Sequence, residues 1–318
     1  MYRIFDISLD CDFPLPELSN VTQAETVLHV RRGSVDSGKV PDAECIHEWR
    51  DGNGDVTIIC SRTGEDYLLQ FPALAGFRIS KSGDRIICFP EPGVPEDTIR
   101  HLLLDQVVPR VLGQKGQLVL HASAVQLPDG TGIIFLGDTG WGKSTIASSY
   151  HKNGARLITD DCLLINIVKD SIYCVPNYYG LRLYPDSSNA IYDTNMQFAP
   201  VAHYSGKKRV VLPDDHDRPD QPVSVSAIFQ LSDPYKDSPD TISVERIHGA
   251  GELMSIIGQT FLLDVTDKQL IKKQFSNASK MVKTSSAMFK LSYPRNHAML
   301  TEVRKAVKKA VMETGANC

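Results

Sequence analysis

The chain has 318 residues, 42% of them hydrophobic and 23% charged, with a formal net charge of −4. That is the profile of an ordinary globular protein with apolar material for two domains, and the acidic balance excludes a general nucleic-acid binder, which needs a basic surface. The seven cysteines are widely spaced and form no C-x-x-C pair, which excludes a sequence-local zinc site and suits a reducing compartment.

No apolar run approaches membrane-spanning length, and the segment after Met1 has no signal-peptide core. A cytoplasmic protein without membrane association is therefore expected.

Residues 1–95 read as a small β-rich domain. Val27–Val30, Val56–Cys60, Tyr67–Phe71 and Arg85–Phe89 are strand-length apolar runs, separated by turn signals such as Asp51–Gly54 and Ser82–Asp84. The region carries no catalytic motif, so substrate recognition, assembly or a structural role all stay open for it. The rigid stretch Pro90 to Pro95 is the expected boundary, and residues 96–318 form the second domain. Ile99, Leu102, Leu103, Val107 and Val111 fall at helical spacing and predict an amphipathic helix leading into that domain.

Leu118 to Val125 predicts a strand, and Pro128-Asp129-Gly130 turns the chain back into the apolar run Gly132 to Leu136. The two strands are expected to pair as a hairpin. The motif Gly137-Asp138-Thr139-Gly140-Trp141-Gly142-Lys143-Ser144-Thr145 follows. It fits G-x-x-x-x-G-K-[ST], placed between a predicted strand and a predicted helix. Glycines there aim backbone N–H groups at one anion, Lys143 reaches the β- and γ-phosphates, and Ser144 can complete a Mg²⁺ shell. A nucleoside triphosphate, ATP in the reading below, is the expected ligand.

Ala155 to Ile165 predicts a further strand interrupted by Asp160 and Asp161. Acids at a strand end behind a phosphate loop suit a metal ligand and a proton acceptor for the attacking group. His121 stays open between a hydrogen-bonded core residue and a group that meets the γ-phosphate or orients an acid. Further strand-like pieces lie at Tyr173–Val175, Leu181–Tyr184 and Val223–Leu231, with a mobile acidic loop expected over Pro213–Pro222. The tail predicts helices over Leu270–Val282 and Ala298–Met312, the latter with Arg304, Lys305, Lys308 and Lys309 facing solvent.

Leu120-His121-Ala122-Ser123-Ala124-Val125, the glycine loop and Leu157-Ile158-Thr159-Asp160-Asp161 together resemble the catalytic domain of the HPr kinase/phosphorylase family, over roughly residues 116–250. The resemblance implies an α/β fold, an HPr-kinase-type phosphate-loop kinase domain behind the small β-rich domain. It also implies ATP and Mg²⁺ as cofactors, Asp160 as base toward a serine hydroxyl, Asp161 near the metal and His121 assisting.

Where the family carries a metal-binding acid, this chain has Asn177-Tyr178-Tyr179. Its form Gly180-Leu181-Arg182-Leu183-Tyr184-Pro185-Asp186-Ser187 is closer to the HPr-kinase-related proteins that accompany lasso-peptide clusters. That implies the C-terminal serine of a precursor peptide as acceptor. Arg182 would meet phosphate or substrate, or else pair with an acid. The expected partner is a peptide or small protein bearing a serine, with no nucleic acid and no membrane; a homo-oligomer stays open. Kinases of another protein or of a free amino acid, a carboxykinase-like enzyme and a non-catalytic nucleotide sensor are the rival readings.

Overall fold

A computed structural model describes residues 1–22, 27–33, 43–178, 180–192, 196–211, 219–237, 239–284 and 287–315. Tyr179, Cys318 and most of the loop expected at Pro213–Pro222 lie outside them. The chain is mixed α/β with several sheets and groups into two compact units. The first comprises Met1–Gln117, Val201–Ser205 and Phe261–Gln274, and the second comprises Leu118–Pro200, Gly206–Thr260 and Phe275–Cys318.

The first unit is built on one sheet of eight strands. These are β1 (Tyr2–Ile4), β2 (Ile7–Cys11), β3 (Val27–Arg32), β4 (Glu44–Arg50), β5 (Val56–Thr63), β6 (Asp66–Phe71), β7 (Ala75–Ile79) and β8 (Arg85–Pro90). Their order across the sheet is β1-β2-β3-β8-β7-β6-β5-β4, with β3 parallel to both its neighbours and every other pair antiparallel. Leu9, Val30, Leu69, Phe77, Ile79 and Ile86 fill its core.

The break at Pro90–Pro95 separates this sheet from the helix that the spacing predicted, and that helix groups with the first unit. It runs as α1 (Glu96–Leu102), a π-helical stretch (Leu103–Val107) and α2 (Val108–Gln114). Pro109 explains the irregularity. It has no N–H to give the Asp105 carbonyl, so the ladder slips by one residue and the Val108 N–H bonds Leu103 O.

The second unit holds a larger sheet. Its first strands are β9 (Leu118–Leu120), β10 (Ala122–Gln126) and β11 (Gly132–Leu136). The helix α3 (Lys143–Lys152) follows, then β12 (Arg156–Thr159), β13 (Leu163–Val168) and β14 (Ser171–Val175). The chain continues through β15 (Arg182–Leu183), α4 (Pro185–Ile191), β16 (Gln197–Pro200), β17 (Lys208–Val211) and β18 (Val223–Leu231). It ends with β19 (Ser243–Arg246), α5 (Ala250–Ile257), α6 (Lys268–Thr284), β20 (Met288–Ser292) and α7 (Leu300–Gly315).

The strand order is β12-β10-β11-β18-β14-β13-β9, with β20 pairing both β18 and β19. Strands β11, β18 and β20 run parallel to one another. A small separate sheet has the order β15-β17-β16.

Both faces of the central strands are buried, which is why Ile133 to Leu136 is an unbroken apolar run. Ile133, Phe135, Phe229 and Leu291 pack with Ile146 and Tyr150 of α3 and Val303 and Val307 of α7. Their alternates Ile134, Leu136, Ile228 and Met288 pack with Ile256 of α5 and Met281 of α6. Arg304 departs from its expected solvent position. It is half-buried, and its guanidinium donates to Ser149 Oγ.

The strand expected over Leu118–Val125 is divided at His121. Its first half pairs with β13 and its second with β11 and β12. At the break the His121 N–H donates instead to Gln259 O at 2.7 Å. The hairpin of β10 and β11 forms as the spacing predicted, with Ala122 opposite Leu136.

Close contact along β11 gives one test of this packing. A Cβ on Gly132 would sit 2.6 Å from Ser224 O on β18, a backbone atom that cannot swing aside. Gly132→Ala should therefore destabilise the second unit by roughly 1–3 kcal/mol. The expected readout is a lower urea midpoint at unchanged m-value.

Candidate functional site

Strand register assembles the site. Because Ala122 pairs with Leu136, His121 lies across from Gly137, the first residue of the glycine loop. Because Ala124 pairs with Thr159 on β12, the next residue outward, Ser123, faces Asp160. The Ser123 hydroxyl donates to Asp160 Oδ1. Thus the histidine, the loop and the acids meet at one end of three neighbouring strands.

The loop is shaped by backbone that only glycine adopts cheaply. Gly140 and Gly142 have φ of +86° and +96°, and Gly142 caps α3. A side chain on Gly142 would also press on Tyr293 Oη, 3.1 Å from the added carbon. Lys143 is buried, and its ammonium donates to Gly137 O at 2.6 Å and Asp138 O at 3.2 Å. Burial pushes its pKa down to about 8.

The two acids part company. Asp160 is 4% exposed and turned into the protein. Its Oδ2 accepts the backbone N–H of Arg182 at 3.1 Å, so both its oxygens are engaged. Asp161 instead lines the cavity beside Lys143 and Ser144. It has φ +70°, a strained backbone for a non-glycine residue. That left-handed kink accompanies the turn that leaves Asp161 in the cavity wall while Asp160 stays inside.

Arg182 Nη1 donates to Asp161 Oδ2 at 2.8 Å, and Arg182 Nη2 donates to Tyr178 Oη at 2.6 Å. Arg182 is thus paired with an acid inside the cavity wall. His121 Nε2 is 3.7 Å from Asp161 Oδ1, within electrostatic reach and longer than a hydrogen bond.

The electrostatics follow. Burial, and next the charge of Asp161, push the Asp160 pKa up. Burial alone would raise Asp161 too, but His121, Lys207 and Arg182 hold it well below the ordinary carboxylate range. Burial, and then the Lys143 charge, push the His121 imidazole down. At neutral pH the cavity therefore presents a carboxylate at Asp161 and a neutral imidazole at His121.

His121, Lys143, Asp161 and Arg182 line one cavity of about 270 Å³, which includes the whole run Thr139 to Thr145. Gly137 and Asp138 shape the loop behind it; Asp138 Oδ1 accepts from Gln259 Nε2 at 2.9 Å. The sequence reading missed Lys207, which also lines the cavity, on the residue just before β17. Pairing of Leu183 with Lys208 sets Lys207 beside Tyr184, its ammonium 5.6 Å from that ring's centroid. Nothing in Ser205-Gly206-Lys207-Lys208 signals this, because β15 and β17 are too short to show a pattern.

Among the described residues no group of three or more His, Cys, Asp or Glu could hold a metal ion. A Mg²⁺ ion that keeps its waters and takes phosphate oxygens needs few protein donors. Ser144 Oγ and the Asp161 carboxylate, hard oxygen donors in the same cavity, fit that requirement.

The depressed Lys143 pKa has a measurable consequence. A bound polyphosphate restores full charge to the ammonium, so binding near pH 8–9 should take up a proton. Calorimetry in buffers of different ionisation enthalpy reads this directly. The uptake should vanish in Lys143→Met and fade below pH 7, where the lysine is already charged.

No protein-family model and no curated protein matches the chain. Among the described residues no helix is long and apolar enough to cross a membrane. Among solved structures the chain is similar to the Hpr(Ser) kinase/phosphatase from Coxiella burnetii, at 14% identity and a TM-score of 0.31, over 62% of this chain and 98% of that one.

Proposed function

We propose that the protein is an ATP-dependent kinase that transfers the γ-phosphoryl group to a serine hydroxyl on a peptide or small protein. The observation that carries this reading is one cavity holding a glycine-loop lysine, the adjacent Ser144 and an anionic Asp161 flanked by His121 and Arg182.

In this reading the loop N–H groups and Lys143 neutralise the β- and γ-phosphates. Ser144 would hold Mg²⁺ directly and Asp161 only through one of the ion's waters, which leaves a carboxylate oxygen for the proton; the ion would supply charge neutralisation to the phosphate oxygens. Asp161 accepts the hydrogen bond of the acceptor hydroxyl and receives its proton late in the transfer. His121 and Arg182 fix the orientation of that carboxylate, and Lys207 adds positive charge to the same cavity.

The base role thus moves from Asp160, expected from the family resemblance, to Asp161. Asp160 has both oxygens committed to Ser123 and the Arg182 backbone, and it acts as a positioning residue. The first unit is left for acceptor recognition or assembly. The acceptor that the resemblance points to is a precursor peptide ending in serine.

Incubating the protein with Mg-ATP and peptides that end in serine or in alanine tests the reading. Phosphate should appear on the serine peptide only, and no transfer to any hydroxyl would overturn it. Asp161→Asn should lower the single-turnover rate by roughly 10²–10⁴. Asp160→Asn should cost less in rate and more in thermal stability. The reverse ranking of the two variants would return the base role to Asp160.

A further inference from the structure

The proposed phosphoryl chemistry occupies one part of the cavity. The cavity is also lined by loops that follow two parallel strands. Ser232 to Asp237 follows β18, and Tyr293 to His297 follows β20. The glycine loop follows β11, which is parallel to both in turn. Ligands of α/β sheets bind outside the carboxyl ends of such strands, and here three carboxyl-end loops line one cavity.

The side chains there are planar and anchored. Arg295 lies over the Tyr293 ring with its guanidinium carbon 4.2 Å from the centroid, and its Nη2 donates to Ser232 O at 2.6 Å. Tyr293 is buried, and its Oη and Arg295 Nη1 lie 3.1 and 3.3 Å from a carbon added at Gly142, so the pair is seated against the glycine loop. Tyr235, 80% exposed, comes within 3.1 Å of a carbon added at Gly140, on the loop's crest.

A polar relay runs from the phosphate helix to the same loops. Thr145 Oγ1 donates to Ser187 Oγ at 3.4 Å, and Ser187 Oγ and His297 Nε2 share a hydrogen bond of 3.1 Å. Thr145 stands one residue beyond Ser144, so the relay starts at the phosphates and ends beside the stacked plane.

We infer that this part of the cavity is a nucleoside subsite, with Arg295 as the stacking plane for the base and the Ser187–His297 pair as the hydrogen-bonding partner of the ribose hydroxyls. The inference rests on the kinase reading for its ligand, a nucleoside triphosphate. A guanidinium held over a tyrosine ring and lining a cavity offers a base a planar partner with positive charge added. Ser187 and His297 supply a donor and an acceptor at hydroxyl spacing.

Affinities for ATP and for inorganic tripolyphosphate, measured by titration calorimetry on the full chain, test the inference. Arg295→Ala should weaken ATP by roughly 5–100-fold and leave tripolyphosphate within about twofold. Arg295→Lys, which keeps charge but loses the plane, should show the same selective loss. His297→Ala should weaken ATP while leaving 2′,3′-dideoxy-ATP unchanged. Equal losses for ATP and tripolyphosphate would mean that Arg295 serves the phosphates, and no loss for either would place the nucleoside elsewhere; both overturn the subsite. A wild-type chain that binds tripolyphosphate and ATP equally well would overturn the subsite alone. One that binds neither would overturn the kinase reading as well.

Discussion

The site depends on the register of one short strand. Strand β10 lies between β11 and β12, and each pairing fixes one side of the chemistry. Against β11 it sets His121 across from the start of the glycine loop. Against β12 it sets Ser123 on Asp160. A slip of one residue would reverse which face each side chain addresses, and the histidine, the loop and the acids would no longer share a cavity. Burial on both faces of the sheet is what makes such a slip costly.

Upon that frame the charges sort themselves by depth. Asp160 sits deepest, ties β10 to the backbone of Arg182, and is pushed toward its neutral form. Asp161, one residue further, is drawn the opposite way by three positive or polar neighbours. Two chemically identical neighbours are thereby pushed in opposite directions by environment, Asp160 toward its neutral form and Asp161 toward its charged one. The positive φ of Asp161 is the geometric device that allows it. Extended backbone alone would also have sent the two side chains to opposite faces, but would not have bent the second one back beside Lys143.

Much of the site could be read in the sequence because its parts are local. Gly137 to Thr145 is a contiguous motif whose conformation follows from its glycines, and the hairpin before it is announced by Pro128-Asp129-Gly130. The direction of each acid could not be read, since it depends on a single left-handed residue and on the partners Ser123 and Arg182. The break at His121 was hidden because Leu118 to Val125 is mostly apolar with no turn residue inside it, and periodicity cannot mark where such a strand changes partners. In the first unit β4 escaped notice for the opposite reason: it is mostly exposed or half-exposed along its length and shows no alternation. Lys207, Arg295 and His297 reach the cavity through tertiary pairing of short or late strands, which no local pattern encodes.

Lys143 resting on the carbonyls of Gly137 and Asp138 makes the loop its own first ligand. The anion seat is latched by the charge that will later serve it. Any entering anion must draw the ammonium away from two oxygens it already satisfies, in a buried setting where such bonds are strong. A lone monovalent anion offers little more than it displaces. A polyphosphate engages the ammonium and the amide cradle together, and so opens the latch with contacts to spare. On the proposed reading, lone small anions would be turned away by chain length and charge before any feature of a nucleoside is met.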